Sequence, residues 1–82
     1  MPIREHFGSV VRSTRKKLNI TQEELASLAG INQSHMGAIE RGTKSAGLTT
    51  VARISEALGC SPAQLLDYPP SKNANGQVMQ VN

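Results

Sequence analysis

The apolar positions along the chain fall into five short runs at helical spacing. Ile3, Phe7, Val10, Val11 and Leu18, with Thr14 filling the remaining turn, predict a helix over residues 3–18. Pro2 suits its first turn, where a missing N–H is not needed, and Asn19 takes the left-handed position that ends it. Over 21–29, Leu25, Leu28 and Ala29 form a buried stripe, and Ala26 lets a neighbouring helix approach closely. Gly30 stops that helix and Ile31 buries the turn. Over 33–41 only Met36 and Ile39 are clearly apolar, so the buried face is narrow, and Gly42 stops it. Leu48, Val51, Ile54 and Leu58 predict a helix over 48–58, closed by Gly59. Leu65 and Leu66 predict a last short one over 62–67, which Pro69-Pro70 breaks. Residues 69–82 have no helical period and read as a flexible C-terminal tail, with Val78, Met79 and Val81 available to dock on a partner. The reading is one all-α domain over residues 1–68 with no internal repeat.

The polar residues between these runs carry start signals. Thr21-Gln22-Glu23-Glu24 is a capping box, the threonine hydroxyl capping a backbone N–H while Glu24 reaches back to the Thr21 amide. Asn32 caps the third helix. Ser61-Pro62-Ala63-Gln64 starts the fifth, with proline at the first helical position. Two short helices joined by a glycine turn, over Thr21 to Gly42, form a helix-turn-helix, a unit that sets its second helix into the DNA major groove. The outer face of that helix holds Gln33, Ser34, Gly37, Ala38 and Arg41. Small and amide-bearing groups without salt-bridge lacing solvate poorly and suit close approach to another surface.

Charge placement sharpens this picture. The net charge is only +3, but residues 1–44 hold Arg4, Arg12, Arg15, Lys16, Lys17, Arg41 and Lys44 against Glu5, Glu23, Glu24 and Glu40. In residues 45–82, Arg53 and Lys72 cancel Glu56 and Asp67. The whole excess lies in the half with the proposed reading unit, as phosphate binding requires. One Phe and one Tyr leave little for stacking on single-stranded bases. Cys60 is the only cysteine, which excludes an internal disulfide and fits a reducing cytoplasm. It reads as a small buried residue between helices. His6, His35 and Cys60 have no zinc-ligand spacing, so neither metal nor cofactor is expected. No apolar run reaches membrane-span length and no signal-peptide core is present.

The combination of Val11-Arg12, Arg15, Thr21-Gln22-x-Glu24-Leu25-Ala26, Ala29-Gly30, Ser34, Ile39-Glu40-Arg41-Gly42, Leu48, Ala57-Leu58-Gly59 and Leu65-Leu66 resembles the Cro/repressor, or Xre-like, helix-turn-helix family. The resemblance runs from Gly8 to Leu66. In size the chain is similar to the controller proteins of restriction–modification systems and to single-domain phage or plasmid repressors. The resemblance implies a compact five-helix, lambda-repressor-like domain. It implies base readout by Gln33, Ser34, Gly37, Ala38 and Arg41, with Arg41 able to take either guanine or a phosphate. Phosphates would be held by Arg12, Gln22, Asn32, His35, Thr43 and Lys44. Arg15 and Glu40 would form a structural ion pair between the first and third helices. Leu65, Leu66 and Tyr68 suit either the core or a symmetric dimer interface. Departures from the family pattern are Gly37 and Ala38, where long polar side chains are common, and His35, where Tyr is common. Ala46-Gly47 replaces the usual proline-serine. Gly37 costs roughly 1 kcal/mol of helix stability relative to Ala, which calls for a reason.

The expected function is sequence-specific binding of double-stranded operator DNA by a homodimer that regulates transcription. The rival reading is an antitoxin or other protein-interaction module, because a smooth helix at Gly37 and Ala38 packs on protein as well as on DNA. An enzyme is the poorest reading, with no nucleophile–base motif.

Overall fold

The computed structural model describes residues 3–66, and within them the chain forms five α-helices. These are α1 (Ile3–Lys17), α2 (Gln22–Ala29), α3 (Gln33–Arg41), α4 (Leu48–Leu58) and α5 (Pro62–Leu65). The expectations for Pro2, Tyr68 and the 69–82 tail lie outside the described residues. The boundaries follow the local chemistry. α1 ends one residue earlier than the spacing predicts, because Asn19 turns left-handed (φ 61°) and its N–H closes on the Lys16 carbonyl. Thr21 stands outside α2 as its N-cap. Its hydroxyl accepts from the Glu24 N–H at 3.0 Å, and its own N–H donates to Glu24 Oε1 at 3.0 Å. Asn32 Oδ1 caps α3 by accepting from the His35 N–H at 2.7 Å. α4 starts at Gly47 with no side-chain cap, as the exchange of proline-serine for Ala46-Gly47 leads one to expect. α5 stops at Leu65, short of 67, with Leu66 already in a turn.

α1 packs chiefly on α3, and α2 on α4, around one core. That core comprises Phe7, Val11, Leu25, Ala26, Ala29, Met36, Ile39, Val51, Ile54, Leu58 and Leu65. Several residues of the predicted stripes are not in it: Ile3, Leu18, Leu28, Leu48 and Leu66 are exposed, and Val10 is half-buried against it. Leu28 is 65% exposed, since α2 turns the side holding Leu25, Ala26 and Ala29 inward and Leu28 lies on the far side of Leu25. Leu48 is 88% exposed at the first residue of α4, where none of the described residues covers it. Leu65 is settled as core at 1% exposure, whereas Leu66 remains at the surface.

Two glycines set the α1–α3 distance. A Cβ at Gly8 would stand 2.2 Å from the Ile39 carbonyl oxygen and 2.7 Å from that of Glu40. Only a residue without a side chain lets α1 cross the end of α3 this closely. At the same end Gly42, left-handed at φ 77°, lies beneath Glu5, whose Cα would be 2.8 Å from an added Cβ. α3 is therefore pinned from behind, backbone on backbone.

The capping box yields a direct expectation. Thr21→Ala lowers stability by about 1 kcal/mol, a fall in thermal midpoint of roughly 4–8 °C for a domain this size, readable by circular dichroism. The Thr21 backbone N–H, then its hydroxyl, hold the Glu24 carboxyl below its ordinary value of 4.5. A depressed carboxylate stabilises the fold above its unfolded value and loses that contribution as pH falls through the folded value. Glu24→Gln is therefore expected to flatten the acid limb of the stability profile below about pH 4.5.

Candidate nucleic-acid interface

The site is built on α2, the turn Gly30–Asn32 and α3. Met36 and Ile39 seat α3 in the core, each fully buried. The side chains turned outward are Gln33, Ser34 and Arg41, flanked by Asn32, Thr43 and Lys44, all exposed, with His35 half-buried. Gln33, Ser34, Arg41, Gln22 and Gly37 line one polar recess. Asn32, Ser34, His35, Ala38 and Lys44 line a second beside it. Arg12 is exposed on α1. The basic side chains Arg4, Arg12, Lys16, Lys17, Arg41 and Lys44 all reach solvent.

Behind this face lies a largely buried polar cluster. Arg15 donates through Nε to Glu40 Oε2 at 2.8 Å and through Nη2 to Glu40 Oε1 at 3.0 Å. Its Nη1 donates to the Ile20 carbonyl at 3.0 Å. The two side chains are only 11% and 3% exposed. The hydrogen bonds to Glu40, and its negative charge, keep the guanidinium protonated more firmly than usual, against the opposing effect of burial. Gln22 joins them, its Nε2 donating to Glu40 Oε1 at 3.2 Å. One carboxylate thus ties together α1, α2 and α3.

The geometry changes several of the expected assignments. Gly37 and Ala38 do not project from the face but lie on the floor of its two recesses. Gly37 is buried, with the ends of Gln22 and Arg41 lying across it, and Ala38 is 8% exposed. The Thr43 hydroxyl donates to the Ala38 carbonyl at 3.1 Å, so its only proton is committed within the chain. Gln22 spends one amide N–H on Glu40 and retains the other. Asn32 spends its carbonyl on the α3 cap, which leaves its amide nitrogen as its donor group. Sequence reasoning missed Gly8 altogether. A glycine in a helix interior was the available signal, but what it faces is set by the fold.

Cys60 is half-buried and packs against the core, and burial pushes its thiol up, away from a reactive thiolate. Among the described residues, no group of three or more His, Cys, Asp or Glu side chains could hold a metal, and no helix is long and apolar enough to cross a membrane.

Known proteins agree with this architecture. Control protein C.BamHI of Bacillus amyloliquefaciens is 42% identical over 67 residues, covering 80% of this chain and 83% of its own. The solved restriction–modification controller protein C.AhdI from Aeromonas hydrophila superposes with a TM-score of 0.73 at 33% identity, over 74% of this chain and 92% of that one. The P22 c2 repressor, solved in complex with a synthetic operator, gives 0.70 at 33% identity, over 73% and 91%. Residues 11–65 match the helix-turn-helix family model, and the chain belongs to that family.

Proposed function

We propose that this protein is a sequence-specific, double-stranded DNA-binding regulator of transcription, acting in the cytoplasm as a homodimer on a palindromic operator. The observation that carries the reading is an exposed polar face on α3, Gln33, Ser34 and Arg41, backed by an anchored network and flanked by exposed cations. Gln33, at the first position of α3, pairs through its amide with adenine N6 and N7, and Arg41 with guanine O6 and N7 or with a phosphate. Arg12, Asn32, His35 and Lys44, with the free amide N–H of Gln22, hold the backbone. These contacts give affinity that falls steeply with salt. C.BamHI and C.AhdI are control proteins, and P22 c2 was solved on an operator, which supports the same role here.

One short helix spans few base pairs, so two copies read half-sites about 34–36 Å apart, one helical turn. The α4–α5 side is the dimer surface. It keeps Leu66 exposed beside Ile3, Ala46 and Val51 in one apolar recess, while Leu65 serves the core. The protein-interaction reading rests on a smooth helix face at Gly37 and Ala38; Gly37 is buried and Ala38 is 8% exposed, which favours the polar side chains around them as the contact surface.

Selection from a randomised duplex pool, with the parent and Gln33→Ala, tests the proposal. The expected result is a palindromic consensus, with Gln33→Ala relaxed at one symmetric base pair and weakened there by roughly ten- to a hundredfold, the worth of a bidentate base contact. A folded protein that enriches nothing at low salt would reject DNA binding in favour of a protein partner. A consensus without two-fold symmetry would reject the dimer.

A further inference from the structure

Gly37 is the residue of α3 that neither the core nor the open face explains. It sits in mid-helix, where glycine is the poorest former after proline, and it is buried without contributing a side chain. A Cβ built on it would stand 3.0 Å from Arg41 Nη1 and 3.2 Å from Gln22 Oε1. Both contacts are tighter than ordinary packing, and both are to the ends of flexible side chains rather than to backbone. The absent methyl is therefore not needed for α3 to fold. It is needed for two polar groups to lie where they do.

Those two groups suit each other. Arg41 is one helical turn beyond Gly37, so its side chain lies over the turn preceding it, onto the bare helix backbone. Gln22 comes from α2, and its amide is turned by the donation of Nε2 to Glu40, itself held by Arg15. Gln22 Oε1 and Arg41 Nη1 both lie over the same bare turn of α3, each about 3 Å from where a Gly37 Cβ would stand. An arginine read against guanine must hold its planar fork in one orientation. A free arginine on an exposed helix samples many.

We propose that Gly37 is a positioning residue for Arg41: by leaving the space over α3 empty, it lets the guanidinium lie back over the bare helix turn beside the Gln22 amide, in the orientation needed to read a base. This rests on α3 being the DNA-reading helix and adds to it that Arg41 reads a base, through a residue that touches none. The specificity of the site is then set partly by an absent side chain.

The test is the same pool selection, run on the parent, Arg41→Ala, Gly37→Ala and the double variant, with the thermal midpoint of each. Arg41→Ala is expected to erase the preference at one symmetric base pair. Gly37→Ala is expected to weaken it about tenfold or more at that same pair. The double variant should resemble Arg41→Ala alone, as for two changes acting through one contact. The midpoint of Gly37→Ala should be no lower than the parent's, which separates a moved arginine from a damaged fold. The proposal is overturned by a Gly37→Ala variant that keeps the parent's consensus, or by one that relaxes only a pair indifferent to Arg41→Ala. An Arg41→Ala variant with the parent's full consensus overturns it too, while leaving DNA binding intact. Failure of the parent itself to select any sequence is the separate outcome that removes the underlying reading.

Discussion

Arg15→Met is expected to be the most damaging single substitution in this protein, lowering stability by about 3–5 kcal/mol, the usual cost of removing one partner from a buried pair. The replacement keeps the aliphatic stem and removes three donors at once. Glu40, only 3% exposed on its side chain, is left with the single long bond from Gln22, and the Ile20 carbonyl loses the Arg15 donor. A domain of this size has about 5–15 kcal/mol in total, so the thermal midpoint should fall by roughly 12–40 °C. Adding Glu40→Leu should restore much of the loss, because the pair as a whole contributes little net stability once neither charge is buried. The diagnostic is the cycle: two single variants, each far worse than their combination. A double variant as unstable as the sum of the singles would mean that the network stabilises by its own strength. Salt separates this network from the DNA surface. The buried pair is poorly screened, so the stability deficit should hardly change between low and high salt, whereas DNA affinity falls steeply over the same range.

The consequences for binding run through α3. Glu40 sits next to Arg41, and Gln22 takes its orientation from Glu40. Arg15 is therefore two bonds behind the reading face although it is not on it. At a temperature where Arg15→Met remains folded, affinity should fall at every operator sequence together, since the loosened part is the seat of the helix rather than one contact.

What the chain reveals before folding depends on how local the cause is. The capping boxes at Thr21 and Ser61, the left-handed Asn19 and the glycine stops are decided within four or five residues, and each stands in the structure where the sequence places it. The buried stripes are less local. Leu28 repeats at the right spacing from Leu25, yet which side of α2 faces inward depends on where α3 and α4 lie, and Ala26 with Ala29 won that contest. The outer face of α3 shows the same limit. Gly37 and Ala38 follow Gln33 and Ser34 on the helical wheel, but the wheel cannot show that Gln22 and Arg41 would cover the glycine. The partnership of Arg15 with Glu40, twenty-five residues apart, came from family resemblance and not from spacing. Gly8 had no signal beyond being a glycine in a helix.

Gly8→Ala is accordingly the second large effect expected, and it contrasts with Gly37→Ala. Both glycines are buried in helix interiors, and alanine should favour each helix by about 1 kcal/mol. The neighbours decide the net result. At Gly37 they are side-chain ends that swing aside. At Gly8 they are the carbonyl oxygens of Ile39 and Glu40, the nearer 2.2 Å from an added Cβ. Backbone at the end of a core helix cannot swing, so α1 must lift by about an ångström, and overpacking of this kind costs about 1–3 kcal/mol or more. Lifting α1 also draws Arg15 away from Glu40, since residues 8 and 15 are two turns apart on the same face. The two losses combine, and Gly8→Ala should lower the thermal midpoint by roughly 8–20 °C, with Ser9→Ala on the exposed side leaving it nearly unchanged. Combined with Arg15→Met it should cost less than the sum, because each change loosens the same α1–α3 contact. A midpoint for Gly8→Ala equal to or above the parent's would mean that α1 slides along α3 without penalty, and that the close crossing is not what holds the reading helix in place.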